Sequence, residues 1–329
     1  MKKLRVAVIG FGFMGKTHTR NILNSSLMEL VAIVDNRIDS ISQVAGNIDT
    51  GEIPPEILTR INKYDNVDVC LTNESLDAVF ICVHTSLHYD MVIKALKQGL
   101  HVFVEKPFIL KIEEGEALIA EARARNLRLS VGHVVRYMPA YVKLYELFRK
   151  HIYGKLKYIS MTRFSGIPNW GEWDRLRNNF GVSGGGLFDL VIHDIDFLQY
   201  MLGVPDKVEA RSIPGILSNH DYVSAFWDYQ DSDTFVKVEG GLTFHSKFPF
   251  EATFKASFEE ASVVWSSSHG HELKIADNET LRTIALDDAN EGYFVEGERF
   301  AASIVNDDDS ACMAESALET IKLCYKHIQ

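Results

Sequence analysis

Cysteine is scarce in this chain: Cys70, Cys82, Cys312 and Cys324 are the four in 329 residues, with no CxxC pair and no metal-ligand spacing. A disulfide framework and a zinc site are both excluded on that count. Cys70, Cys82 and Cys324 lie among apolar residues, as reduced core thiols do, and this predicts a cytoplasmic protein without a metal. Long apolar runs are missing too. The longest are the size of a strand or a core helix, short of the ~20 residues that span a membrane, so no membrane partner is expected. There is no basic stripe. Lysine and arginine number 34 against 45 acidic residues, a net charge of -11, so no nucleic-acid partner is expected either. The opening MKKLRVAVIG places a basic pair before an apolar run. That run is short and glycines follow it, so it reads as a first strand and not a secretion signal. No internal repeat or low-complexity segment appears. What remains is a chain that is 46% hydrophobic and 24% charged, able to bury a sizeable core, with a length that suits two domains.

The first part of the chain alternates short β-branched runs with helical stretches. Strands are predicted at Leu4–Ile9, Leu30–Val34, Ala78–Val83, His101–Val104 and Arg128–Val131, and helices at Met14–Leu23, Tyr89–Lys97 and Ile112–Arg125. These strands are continuously apolar, as expected when helices cover both faces of a parallel sheet. Residues 48–76 are the least legible. Beyond about residue 150 the texture changes. Phe250, Ala252, Phe254, Ala256 and Phe258 alternate with polar residues, the pattern of a half-buried antiparallel strand. Similar runs lie near Lys207–Ile213, Tyr222–Tyr229 and Thr234–Glu239, with helices at Leu187–Leu202 and Ala311–His327. The fold class is therefore α/β. A doubly wound parallel sheet over 1–128 precedes an α+β domain with a large, mostly antiparallel sheet over 129–329, whose last helix is expected to pack back on the first domain.

Gly10-Phe11-Gly12-Phe13-Met14-Gly15 is a GxGxxG between the first strand and the first helix. Gly10 makes the tight turn, Gly12 lets the backbone approach a pyrophosphate, Gly15 lets helix and strand pack closely, and the helix amino terminus favours the negative charge. Asp35 ends the second strand, where a carboxylate binds the adenosine ribose hydroxyls. Its charge favours NAD. Arg37, two residues on, keeps NADP open.

Two further features point to chemistry. Glu105-Lys106-Pro107 follows the strand His101–Val104, so Lys106 sits at a carboxyl end, where such sheets bind ligands. The competing reading is a solvated Glu105–Lys106 ion pair. After Gly184-Gly185-Gly186 comes a helix that is apolar nearly all round, yet Asp189, His193, Asp196 and Tyr200 fall on one stripe of it. Asp189 and His193 are one turn apart. A histidine beside a carboxylate suits general acid–base work near neutral pH, and a buried core histidine is the alternative. Arg163–Phe180, with Trp170 and Trp173, is expected as a loop, either one that stacks on a sugar ring and binds its hydroxyls or a surface loop whose tryptophans anchor in the core.

Glu105-Lys106-Pro107 and the run GGGLFDLVIHDID over 184–196, behind GFGFMG, resemble the glucose–fructose oxidoreductase/inositol dehydrogenase/rhizopine-catabolism (Gfo/Idh/MocA) family along essentially the whole chain. The two motifs together are specific; either alone is not. Thr85-Ser86-Leu87-His88 resembles the family's nicotinamide-side loop, often TPNxxH, although Val83 and His84 stand where Thr and Pro are usual. Val131–Tyr137 resembles the junction that contributes to the substrate pocket, with Arg136 at its basic position.

The resemblance implies a nicotinamide-dependent oxidoreductase acting on a secondary alcohol of a sugar, inositol or related polyol. His193 would take the hydroxyl proton, Lys106 would hold the oxygen, and Asp189 would orient the substrate or tune His193. Gly10, Phe11, Gly12, Phe13, Met14, Gly15, Asp35, Asn36, Arg37, Val83, His84, Thr85, His88, Glu105 and Lys106 become the expected contacts of NAD, or of NADP. Arg136, Arg163, Trp170 and Trp173 become the expected substrate contacts. A homodimer or homotetramer built through the carboxy-terminal sheet is implied as well. The alternatives are an NAD-dependent glycosidase that oxidises only transiently, and a regulator that keeps the fold without the chemistry.

Overall fold

The computed structural model describes residues 2–37, 53, 55–168, 184–288 and 291–329. They form two compact units: Met1–His133 with Tyr293–Leu318, and Val134–Gly292 with Glu319–Gln329.

The first unit is built on a six-stranded parallel sheet: β1 (Leu4–Ile9), β2 (Met28–Val34), β3 (Asn62–Tyr64), β4 (Ala78–Ile81), β5 (His101–Glu105) and β6 (Leu129–Gly132), in the order β3-β2-β1-β4-β5-β6. The apolar runs are strands because both faces are covered: Val6–Ile9, Ala78–Ile81 and Val102–Val104 are all buried. Between the strands lie α1 (Phe13–Leu23), the single turn α2 (Pro55–Leu58), α3 (Val67–Asn73), α4 (His88–Lys97) and α5 (Ile112–Ala124). β3 and α3 are the ordered content of the stretch least legible in the sequence. Asn66 caps α3, its side chain accepting from the Asp68 and Val69 amides. Strand order reverses beside β1, so the loops after β1, β4 and β5 line up along one carboxyl edge of the sheet, the position where open α/β sheets take their ligands.

The second unit begins with α6 (Pro139–Arg149) and β7 (Leu156–Gly166). A π turn over Leu187–Val191 leads into α7 (Ile192–Leu202), followed by β8 (Lys207–Ile213), β9 (Tyr222–Tyr229), β10 (Ser232–Phe244), β11 (Glu251–Phe258), β12 (Ser262–Ser266), β13 (Glu272–Ala276) and β14 (Leu281–Ala285). Then come α8 (Glu291–Asn306) and α9 (Ala314–Lys326), within which the chain passes to the first unit and back. The sheet order is β14-β13-β12-β11-β7-β10-β9-β8, antiparallel except where β7 runs parallel to β10. Its core gathers around Tyr141, whose ring meets Phe197, Phe254 and Trp265 at 5.0, 5.2 and 5.4 Å. β11 keeps the expected alternation from Ala252 to Phe258. Phe250 does not: it precedes the strand and is 40% exposed. β7 corrects the expected loop at Arg163–Phe180, since Arg163–Gly166 is strand in the middle of the sheet.

Candidate active site

The glycine loop is shaped by what surrounds it. Gly10 has φ +91°, and a Cβ there would come within 2.6 Å of the Cys82 carbonyl oxygen; one on Gly15 would strike the Gly10 carbonyl at 1.9 Å. No L side chain fits either place. Around Gly12, by contrast, nothing lies within 4 Å of a built Cβ. The backbone is therefore open at Gly12, and α1 starts there with no acidic residue in its first turn and no side chain capping it. Asp35 is held in place beside this loop: Oδ2 accepts from the Phe11 amide at 2.8 Å and Oδ1 from the Arg37 amide at 2.9 Å. The Phe11 side chain turns away into a cluster with Ile33 and Ile61, so Phe11 offers the loop only its backbone. Phe13 and Met14 are half-buried, and Asn36 and Arg37 are exposed.

Along the same edge, Val83, His84 and Thr85 are half-buried, and His84 Nδ1 accepts from the Ser86 amide to start a short 3-10 turn. His88 lies behind them. It is 1% exposed, with Nδ1 3.0 Å from the Pro107 carbonyl oxygen and Nε2 3.1 Å from that of Val83. Burial pushes its pKa down while the carbonyls pull it up, and burial is the larger effect. His88 thus ties the β4 loop to the loop after Lys106. It is wall and not surface, a correction to its expected place among the cofactor contacts.

Glu105 and Lys106 part company at the end of β5. Lys106 is half-buried. Glu105 is buried with Oε1 2.7 Å from His18 Nε2, while Oε2 accepts from the Lys106 amide at 3.2 Å. The solvated ion pair is thereby excluded, and Glu105 moves from the expected cofactor contacts to the support of the strand end. His18 also lies 4.0 Å from the carboxylate of buried Glu296. Burial, then the charge of Glu105, pushes the Glu296 pKa well above the ordinary carboxylate range. Folded protein therefore holds this proton where unfolded chain has lost it. The stabilisation is whole below the ordinary glutamate pKa and drains away as pH rises toward the folded value, by at most about 1.4 kcal/mol per pH unit. Glu296→Gln is expected to flatten that decline, gaining on wild type between pH 5 and pH 8 in urea unfolding. Parallel curves for the two proteins would show that Glu296 does not carry the proton.

In the second unit, Gly184 and Gly185 take positive φ, and a Cβ on Gly185 would collide with Ser218 Oγ at 1.6 Å. Asp221, fully buried, anchors this turn by accepting from the Gly186, Leu217 and Ser218 amides. The π turn that follows widens the backbone before α7 begins, a feature common at functional sites. Along Leu187–Leu198 only Asp189, Leu190 and His193 are partly exposed. Asp189 and His193 therefore share the one accessible stripe.

Asp196 does not join them. It is fully buried, bidentate to Arg136 at 2.6 and 2.7 Å and accepting from Thr320. Asp194, which the sequence reading passed over, is equally buried and takes Arg163 at 2.8 and 3.0 Å, with the Tyr141 hydroxyl on the same guanidinium. Arg136 and Arg163 are thus engaged by buried carboxylates, and the expectation that they bind substrate is revised: they clamp α7 on either side of His193. A second acidic residue on an apolar helix was the signal that could have found Asp194. Tyr200 is 40% exposed and stacks on Tyr145 at 4.7 Å. Trp170 and Trp173 lie outside the described residues.

A family model described as an oxidoreductase family with an NAD-binding Rossmann fold (GFO/IDH/MocA) matches residues 4–133, and one for the GFO/IDH/MocA C-terminal domain matches 141–263. Scyllo-inositol 2-dehydrogenase (NAD(+)) of Bacillus subtilis is 29% identical over 245 residues, 73% of this chain and 65% of that protein. UDP-N-acetylglucosamine 3-dehydrogenase of Acidithiobacillus ferrooxidans is 28% identical over 229 residues, 69% of this chain and 63% of that protein. The matches thus span just under two thirds of these relatives' lengths. A solved structure of the latter enzyme superposes with a TM-score of 0.79 over 99% of this chain and 96% of its own, at 21% identity, a likeness of fold.

Proposed function

Because the chain belongs to the Gfo/Idh/MocA oxidoreductase family, we propose that it is an NAD-dependent dehydrogenase of a secondary alcohol on an inositol, sugar or related polyol. The observation that carries this reading is the carboxyl edge of the first sheet. It aligns the open backbone at Gly12, the fixed carboxylate of Asp35 and the Glu105–Lys106 strand end. Gly10–Gly15 would hold the pyrophosphate, Asp35 the adenosine ribose, and the Val83–Thr85 turn the nicotinamide side. The bound nicotinamide supplies the hydride acceptor. The chain's own residues handle the proton. In the second unit His193, accessible on its stripe, would take it from the substrate hydroxyl, and Asp189 would orient the substrate or tune His193; in the first unit the Lys106 ammonium would favour the alkoxide. We place the enzyme in the cytoplasm, in keeping with four cysteines that are all free thiols. Assembly through the second sheet is supported by Ile213 on its edge strand β8, Phe226 on β9 and Phe235 on β10, all exposed.

Asp35 sets the cofactor test. Its carboxylate is fixed where a 2′-phosphate would meet it, so NAD(H) is expected to bind more tightly than NADP(H). Asp35→Ala is expected to cut that preference by about tenfold, the worth of one screened like-charge contact. Calorimetric titration of both dinucleotides into both proteins decides it. Tighter NADPH binding by the wild type would transfer the role to Arg37. A panel of inositols, aldoses and polyols assayed with each dinucleotide then identifies the substrate.

A further inference from the structure

Beneath the Lys106 backbone lies a set of three ionisable side chains that the proposed chemistry leaves unused. His18 comes from α1, Glu105 from β5 and Glu296 from α8, and they are 1%, 7% and 2% exposed. Their ligand atoms all lie within 4.8 Å of one another. The Phe80 and Phe103 rings, at 5.4 and 5.0 Å from the imidazole, wall them in. The Cys82 thiol, held up by burial and by both carboxylates, borders them. Gly132 packs against Glu105, and His133 follows it.

Two buried carboxylates this close cannot both keep their charge without a cation or a proton. The geometry favours the proton. The 2.7 Å contact between His18 and Glu105 is a direct hydrogen bond and uses the atoms that a metal would need. Three donors also fall short of the four of a closed structural zinc site. With Glu296 neutral, Glu105 is left as the one anion of the set. It is shared between the His18 ring and the Lys106 amide, which donates to Oε2 at 3.2 Å.

We infer that His18 and Glu296 are positioning residues for Lys106: they hold the Glu105 carboxylate inward, where it orients the Lys106 backbone and does not pair with the Lys106 ammonium. This rests on the reading that Lys106 acts on the substrate oxygen. The same hydrogen bond links α1, whose amino terminus the proposed reading assigns to the dinucleotide, to the strand end that carries the lysine.

The test reads the amine itself. The full-length protein saturated with NAD is labelled competitively with acetic anhydride across a pH range, and modification is read by mass spectrometry at Lys106, with exposed Lys255 as reference. His18→Leu releases Glu105 toward the ammonium. Lys106 labelling near pH 8 is expected to fall severalfold and its titration to move up, with Lys255 unchanged. His18→Gln keeps a donor for Glu105 and is expected to restore the wild-type profile. Glu296→Gln keeps the neutral form and is expected to leave that profile in place. Should the leucine variant not fold, His18→Ala carries the same expectation. Wild-type Lys106 labelling in a folded His18→Leu protein would overturn the inference. So would one zinc per chain that persists through dialysis and is lost in Glu296→Gln. Undiminished turnover of Lys106→Met would sink the catalytic reading instead and leave the labelling result standing.

Discussion

His193→Asn is expected to lower turnover by ~10²–10⁴-fold while NAD affinity and the melting temperature stay close to wild type. Positioned acid–base catalysis is worth about that much, and asparagine keeps polarity and hydrogen bonding but takes up no proton near neutral pH. The fold should tolerate the change, because His193 lies on the partly exposed stripe of its helix while its neighbours Ile192, Asp194 and Ile195 are buried. On the proposed reading, the dinucleotide contacts belong to the Gly10–Gly15 loop and Asp35. Asp189→Asn, on the same stripe, is expected to cost less, since the role proposed for it is to orient the substrate or tune His193 and not to exchange the proton. Steady-state turnover, NAD titration and thermal melting of each variant make the comparison. Near-normal turnover of a folded His193→Asn protein would mark His193 as a structural histidine.

The largest stability effect is expected at Asp196. Asp196→Ala takes from the Arg136 guanidinium, 6% exposed, the carboxylate that holds it in two bonds, and from Thr320 its acceptor at 2.9 Å. Removing one partner of a buried pair costs about 3–5 kcal/mol, against about 0–1 for a surface pair such as Lys94–Asp68. Asp194→Ala is expected to cost a similar amount through Arg163. Since the two clamps flank His193 on opposite sides of α7, either variant should lose turnover beyond what unfolding explains when assayed well below its melting temperature. Urea unfolding measures the first effect. A loss under 1 kcal/mol at both positions would show that the clamps do not hold the helix.

These clamps also mark where sequence reading stops. The parallel strands other than β3 were legible because burial on both faces leaves a continuous apolar run, and the glycine loop because strand, helix and Asp35 stand at fixed offsets from it; β3, three residues with none buried, left no such run. β7 was not. Lys157, Ser160, Thr162, Arg163 and Ser165 interrupt its apolar residues, and only the pairing of Arg163 with Asp194 shows why a central strand carries a charge. Asp196, three residues after His193 on the same regular helix, was placed on its stripe; in the structure Asp196 is fully buried and faces Arg136 in the interior. Asp189 and His193 kept their common face. Glu105 was read outward with Lys106 because neighbours in sequence are all that a motif shows. Its true partner, His18, is 87 residues away.

The central claim is that this chain moves a hydride between a polyol carbon and a bound nicotinamide. The most direct measurement uses the first polyol that reduces NAD, deuterated at the carbinol carbon, with mass spectrometry of the nicotinamide formed. The account predicts one reduced nicotinamide, carrying one deuterium, for each molecule of ketone product. Product formed without deuterium in the nicotinamide, or consumption of a glycoside with the reduced cofactor never accumulating, would contradict it.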